Sequence, residues 1–211
     1  MKKLILILIA VFALFQISEA QVFTYGVKAG VGFSSLTMDD IVGISDGSDV
    51  YDLVTGDGVA GYHVGIQTQV NLAMLVIQPE LYFNAGGGTL KKVIDGGSTE
   101  ILNVNFSRVD LPLLVGVRFG PVRINAGPVG SYVLSEETDL TSIHPDFTFF
   151  SNAMTWGYQA GIGFDIFKKI SLDLRYEGSL SKMGESLMVG GRDFRMDARP
   201  SQLLCTLGLW F

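Results

Sequence analysis

Cysteine is nearly absent from this chain of 211 residues, whose single thiol is Cys205. No intramolecular disulfide can form, so the fold must hold by packing, hydrogen bonds and ion pairs. Basic residues are outnumbered, 15 Lys and Arg against 21 Asp and Glu, for a net charge of −6. An acidic chain of this kind has no electrostatic case for nucleic acid as a partner. Histidine occurs only at His63 and His144, with no third ligand at metal-site spacing. Beyond Gln21 there is also no apolar run of the ~18 residues or more that a membrane helix needs. Yet 48% of the residues are hydrophobic. That apolar content must be distributed in another way.

The front of the chain carries Lys2 and Lys3, an apolar stretch from Leu4 to Phe15, and Ile17-Ser18-Glu19-Ala20 before Gln21. A basic start, a short apolar run and small residues before a cut form the plan of a secretory signal peptide. The stretch is too short to span a bilayer, which takes about 20 helical residues. Cleavage is expected between Ala20 and Gln21. Residues 1–20 are then a leader and residues 21–211 the mature domain, with a net charge of −7. No Cys follows the cleavage region, which argues against a lipid-modified amino terminus. The remaining length suffices for one domain with a sizeable core.

Within that domain apolar residues recur with a period of two, the signal of a strand. From Phe23 to Ser34 the odd positions Phe23, Tyr25, Val27, Ala29, Val31 and Phe33 are apolar, while the even ones are small or polar. Further strands are expected at about Val59–Val70 and Leu75–Gly86, in a segment ending at Phe119, then at Val122–Leu134, Met154–Ile166 and Ile170–Ser181. An eighth runs to Phe211. Strands of about 11 residues exceed the usual globular length and match a tilted transmembrane strand. The connections alternate: Asn71–Met74, Gly120-Pro121 and Lys168-Lys169 are tight, whereas Ser35–Gly58, Gly87–Glu100, Ser135–Ala153 and Lys182–Arg199 read as long loops. The expected fold is therefore all-β: an eight-stranded antiparallel up-and-down transmembrane β-barrel with short periplasmic turns and long extracellular loops.

Lipid outside such a barrel decides which face points inward, because a charge at mid-membrane on the lipid face costs about 2–4 kcal/mol. The inward charges are then Lys28, Arg108, Arg118, Arg123 and Arg175 against Glu80, Asp110, Asp165, Asp173 and Glu177, five opposing five. Eight strands leave an interior just wide enough for side chains. Inward glycines at 26, 30, 61, 65, 116, 127, 157, 161 and 163 make room for the long polar ones. A packed lumen of ion pairs is expected, not an open pore. Pro79, Pro112 and Pro128 each remove a ladder donor, so bulges or strand ends are expected there.

The chain stops on Leu207-Gly208-Leu209-Trp210-Phe211, which resembles the terminal strand of bacterial outer-membrane β-barrels. The resemblance implies that this strand closes on the first, with its terminal aromatic at the periplasmic rim, where the barrel assembly machinery reads it. Trp210 and Phe211 are accordingly the candidate barrel-closing signal, with Trp210 lumenal. Gln78-Pro79-Glu80-Leu81 before Gly86-Gly87, and then Val109-Asp110-Leu111-Pro112-Leu113-Leu114, resemble two hallmark segments of the Bacteroidetes outer-membrane β-barrel family that includes the PorT-like proteins. Gly26-Val27-Lys28-Ala29-Gly30 and Leu172-Asp173-Leu174-Arg175-Tyr176 resemble its first and seventh strands. That family implies a small barrel in the outer membrane, in contact with its lipid, and no single activity.

Residues for chemistry are sparse. A barrel hydrolase needs His with a Ser and a carboxylate arranged for nucleophilic attack, and no local motif supplies them. His63 faces the lumen, where a hydrogen-bonded filler accounts for it. His144 stands in a long loop, as do Phe147, Phe149 and Phe150, which form either a contact patch or loop packing. Asp39, Asp40, Asp46, Asp49, Asp52 and Asp57 make the first loop acidic, but no EF-hand pattern orders them for a hard cation. No catalytic residue, metal or cofactor is assigned. The leading expectation is a non-enzymatic outer-membrane barrel that serves envelope structure or surface interaction, meeting an extracellular partner through its loops. Its rivals are a narrow transporter or secretion accessory and, as a minor case, an outer-leaflet lipid-modifying enzyme.

Overall fold

The computed structural model describes residues 22–37, 41–46, 49–94, 99–138, 154–167, 169–181, 186–189, 192–195 and 199–211. The leader expected at 1–20 and the cut expected before Gln21, and Asp39, Asp40, His144, Phe147, Phe149 and Phe150, lie outside the described residues.

Among the described residues eleven strands follow in order: β1 Phe23–Thr37, β2 Ile41–Asp46, β3 Asp49–Leu72, β4 Leu75–Ile94, β5 Thr99–Phe119, β6 Val122–Thr138, β7 Met154–Ile166, β8 Ile170–Ser179, β9 Ser186–Val189, β10 Arg192–Arg195 and β11 Arg199–Trp210. Eight of them form a ring in the order β1-β11-β8-β7-β6-β5-β4-β3, closed by pairing of β3 with β1. Every pairing is antiparallel. Closure leaves no open sheet edge in lipid, which a membrane-spanning sheet requires. The strand β2 folds back on β3, and β9 with β10 makes a separate hairpin.

Alternation sets the two faces. Thirty-five large apolar side chains are exposed among the described residues, Val27, Leu113, Leu174 and Leu207 among them, each between 43% and 51% accessible. Apolar area on that scale is untenable in water and is the surface a barrel shows to lipid. Aromatic rings bracket the band, with Tyr25, Phe119, Phe164 and Phe211 at the short-turn end and Phe33, Tyr62, Tyr132, Trp156 and Tyr176 towards the other. From Tyr25 to Phe33, eight residues apart on β1, a strand tilted by ~40° rises roughly 20 Å.

The short turns are left-handed where they must be. Gly120 (φ 60°) leads the Gly120-Pro121 turn, where the glycine has no Cβ to clash. Ala73 (φ 57°) holds the corresponding place between β3 and β4, at a steric cost that glycine would avoid.

Two expectations are corrected. The segments read as long loops are in large part paired strand: β4 continues to Ile94 and β5 resumes at Thr99, with Val93 opposite Thr99, so only 95–98 separate them. The strand β3 likewise begins at Asp49, inside the first supposed loop, and β6 runs to Thr138. A wall built from β3 to β6 therefore stands above the rest of the ring, where β7, β8 and β11 have 13, 10 and 12 residues against 24 in β3 and 21 in β5. The prolines mark neither bulges nor strand ends. Pro79 stands opposite Leu113, Pro112 opposite Val129 and Pro128 opposite Tyr158, with the register unchanged on both sides. Each proline deletes a single donor towards a single neighbour, and the flanking ladder bonds keep the strands aligned. Thr68 Oγ1 donates to the Pro79 carbonyl at 2.9 Å. The register shifts within the ring fall elsewhere, at Thr55/Gly58 and Gly58/Tyr62 between β3 and β4, and at Ser107/Arg108 between β5 and β6.

Candidate functional site

The inward positions of all eight ring strands meet in the lumen, where the chain places its charges. Every one of the ten inward charges named from the sequence takes part in an ion pair, and the pairs form two groups. The lower group is continuous. Lys28 Nζ lies 2.6 Å from Glu80, and Arg175 lies 2.8 Å from the same carboxylate oxygen. Arg175 reaches Asp173 at 3.1 Å, Arg123 reaches Asp173 at 2.8 Å, and Arg123 and Arg118 share Asp165 at 2.8 and 2.7 Å. In the upper group Arg108 faces Asp110 at 3.0 Å and also pairs closely with Glu177. Four cations meet three anions below, and one cation meets two anions above. Each group carries one net charge of opposite sign, so the lumen is neutral only as a whole.

Neutral side chains fill part of the remaining bonding capacity, which a buried carboxylate needs if it is to stay charged. Gln78 Nε2 donates to Glu80 at 2.6 Å, and Asn125 Nδ2 donates to Gln78 at 3.2 Å. Above them Gln159 and Gln202 donate to Glu177 at 2.6 and 2.8 Å, while Asn84 donates to Asp110 at 2.9 Å. Tyr82 joins the groups: its hydroxyl donates to Glu177 at 3.3 Å, and Lys28 Nζ sits 4.2 Å from its ring centre. Gln202 and Thr206, which bonds His63 Nε2 at 2.8 Å, are absent from the sequence reading. The signal was available in the even positions of the last strand, between outward Leu203, Cys205 and Leu207.

Small residues make this crowding possible. A Cβ on Gly163 would stand 2.5 Å from Asp173 Oδ1 and 2.6 Å from Arg123 Nη2. One on Gly30 would meet the His63 ring at 2.7 Å. Two large residues therefore occupy space that their cross-strand neighbours vacate.

The end of the chain completes the ring. Gly26 to Thr37 of β1 pair with Trp210 back to Arg199 of β11, and the Phe211 amide donates to the Tyr25 carbonyl at 2.8 Å. Trp210 points into the lumen, 7% exposed, with the Arg123 guanidinium 6.0 Å from its ring. Phe211 faces outward, its ring centre 5.9 Å from that of Tyr25.

Above the upper ion pairs the inward residues turn apolar. Leu36, Leu90, Leu102, Val104 and Phe106 are 4% exposed or less. Phe106 marks the junction, with the Arg108 guanidinium 5.4 Å from its ring. The cavity at that level, between Ser34, Phe106, Glu177 and Gln202, is too narrow to admit a water molecule. Of the acidic first segment, Asp57 pairs with Lys91 of β4 at 3.1 Å. Asp46 and Asp49 have side chains outside the described ones. No group of three or more ligating side chains is found among the described residues.

The outer membrane protein beta-barrel domain family matches residues 16–184, most of the chain. The chain belongs to that family. Its place is the outer membrane. Among solved structures it is similar to Neisserial surface protein A, with 12% identity over 89% of this chain and 97% of that one and a TM-score of 0.52. It is also similar to the attachment invasion locus protein Ail of Yersinia pestis, with 10% identity over 89% and 98% of the two chains and a TM-score of 0.44. OprG from Pseudomonas aeruginosa matches with 9% identity over 88% and 95% and a TM-score of 0.44. No curated protein sequence matches the chain. At these identities the likeness concerns the fold.

Proposed function

We propose that this protein is a closed, non-enzymatic barrel of the outer membrane that serves envelope structure or surface interaction through the wall and loops it raises above the bilayer. One observation carries the reading: the ion pairs run unbroken from Arg118 to Lys28, with a second group and an apolar layer above them. A narrow transporter needs a water path, and the cavity beside Phe106 offers none. Removing Glu80 would leave Lys28 buried without an ion pair, and removing Arg108 would do the same to Asp110 and Glu177, which argues for a lumen that stays shut. In this account residues 1–20 direct secretion and are removed before Gln21, and Trp210 with Phe211 is the signal that the barrel assembly machinery reads. The segments around Gln78 and Val109 favour a PorT-like lineage of the Bacteroidetes. Planar-bilayer recording on the purified protein tests the closed lumen: no stable conductance is expected, and a steady large conductance would overturn it.

A further inference from the structure

Above the aromatic band the outward face of the wall changes character. Three register shifts, at Thr55/Gly58, Gly58/Tyr62 and Ser107/Arg108, fall close to one level of β3 to β6. Bulges re-aim side chains and interrupt the regular pleat. Here they border a groove of about 340 Å³.

Pairing places its residues in two rows. Tyr62 stands opposite Ala85, Ala85 opposite Ser107, and Ser107 opposite Ser135, one residue from each of four successive strands. In the next row Asn105 stands between Gly87 and Glu137. The Asn105 side chain leans over Gly87, its Oδ1 2.8 Å from where a Cβ would be, so the amide holds this place because residue 87 has no side chain. Alanine at 60 and 85 keeps the groove open beside the Tyr62 ring, which is 58% exposed and braced by Phe83 at 6.2 Å between centres.

The lining combines an aromatic face, an amide, two hydroxyls and a carboxylate, and none of its residues is basic. Phosphate or sulfate would find no cation there. A sugar ring fits both demands: its hydroxyls can donate to the Glu137 carboxylate and the Asn105 carbonyl, and its C–H face can lie on the tyrosine. The groove opens on the outer face of the wall, directly above the girdle at the depth of the outer-leaflet headgroups. We propose that it binds the saccharide headgroup of an uncharged glycolipid of the outer leaflet. This site is independent of the closed lumen.

Native mass spectrometry of the full barrel, released from micelles holding equal amounts of glucosyl diacylglycerol, phosphatidylcholine and phosphatidylethanolamine, tests it. The wild type should retain the glycolipid in preference by roughly tenfold, the worth of one or two hydrogen bonds. Ala85→Phe, which fills the groove, and Glu137→Ala, an exposed change that leaves the barrel folded by its unheated gel mobility, should each abolish the preference. Equal retention of the three lipids, a preference for the amine lipid, or a glycolipid preference unchanged in Glu137→Ala would overturn the proposal. Displacement of the glycolipid by an equal concentration of methyl glucoside would overturn the lipid source and assign the groove to free saccharide.

Discussion

The membrane ring and the wall above it are built from the same strands with opposite polarity. On β5, Leu102, Val104 and Phe106 point inward while Asn103, Asn105 and Ser107 point outward. From Arg108 onward the inward side carries the charges Arg108, Asp110 and Arg118, and Val109, Leu111 and Leu113 face out. The inversion tracks the solvent. Where lipid lies outside, polar groups must be satisfied inside; where water lies outside, the apolar groups are the ones buried. A sheet with one hydrogen-bonding pattern thus carries two cores end to end, ionic below and hydrophobic above, joined at Phe106 and Arg108.

That contrast can be broken most severely from the ionic side. Glu80→Leu leaves both Lys28 and Arg175 without their shared carboxylate, and a loss of about 3–5 kcal/mol is expected from urea unfolding followed by gel mobility. Next comes the lipid face. Leu113→Arg puts a charge near mid-membrane on a residue 49% exposed to lipid and should cost about 2–4 kcal/mol in the same assay. Gly163→Ala pushes a methyl group against Asp173 and Arg123, for an expected loss of about 1–3 kcal/mol in refolding titrations. The smallest effect sharpens the comparison most. Ile101 points outward from the same strand as Leu113 and is 58% exposed, yet Ile101→Arg should change stability by no more than about 0.5 kcal/mol, because its surroundings are water. Equal costs for Leu113→Arg and Ile101→Arg would mean that the two regions share one environment.

The ring was legible because alternation, turn residues and lipid all act on a period of two: the strand faces from Val109 to Phe119, the turn at Gly120-Pro121 and all ten lumen charges were readable from residue order. The wall was not, for a physical reason. At the inversion the apolar residues pass from even positions, as in Val104 and Phe106, to odd ones, as in Val109 and Leu111. A phase change of one residue looks like the end of a strand. Gly86-Gly87-Gly88 added a turn-like composition where the chain continues straight, with Leu36 packed over Gly88. The prolines misled in the opposite sense, since a missing donor need not break a register that neighbouring bonds hold. Nor does residue order show who pairs with whom: the sharing of Glu80 by Lys28 and Arg175, 52 and 95 positions away, follows only from ring closure.

The inversion on β5 can be read directly by labelling intact cells with a membrane-impermeant maleimide. Cys205 faces outward and is exposed, so the scan starts from Cys205→Ser and introduces single thiols at positions 101, 106 and 113. Rapid labelling is predicted for Ile101→Cys, and none for Phe106→Cys inside the wall or Leu113→Cys in lipid. Labelling of position 113 as fast as position 101, or of position 106 from outside, would contradict a membrane ring and a water-exposed wall with inverted polarity.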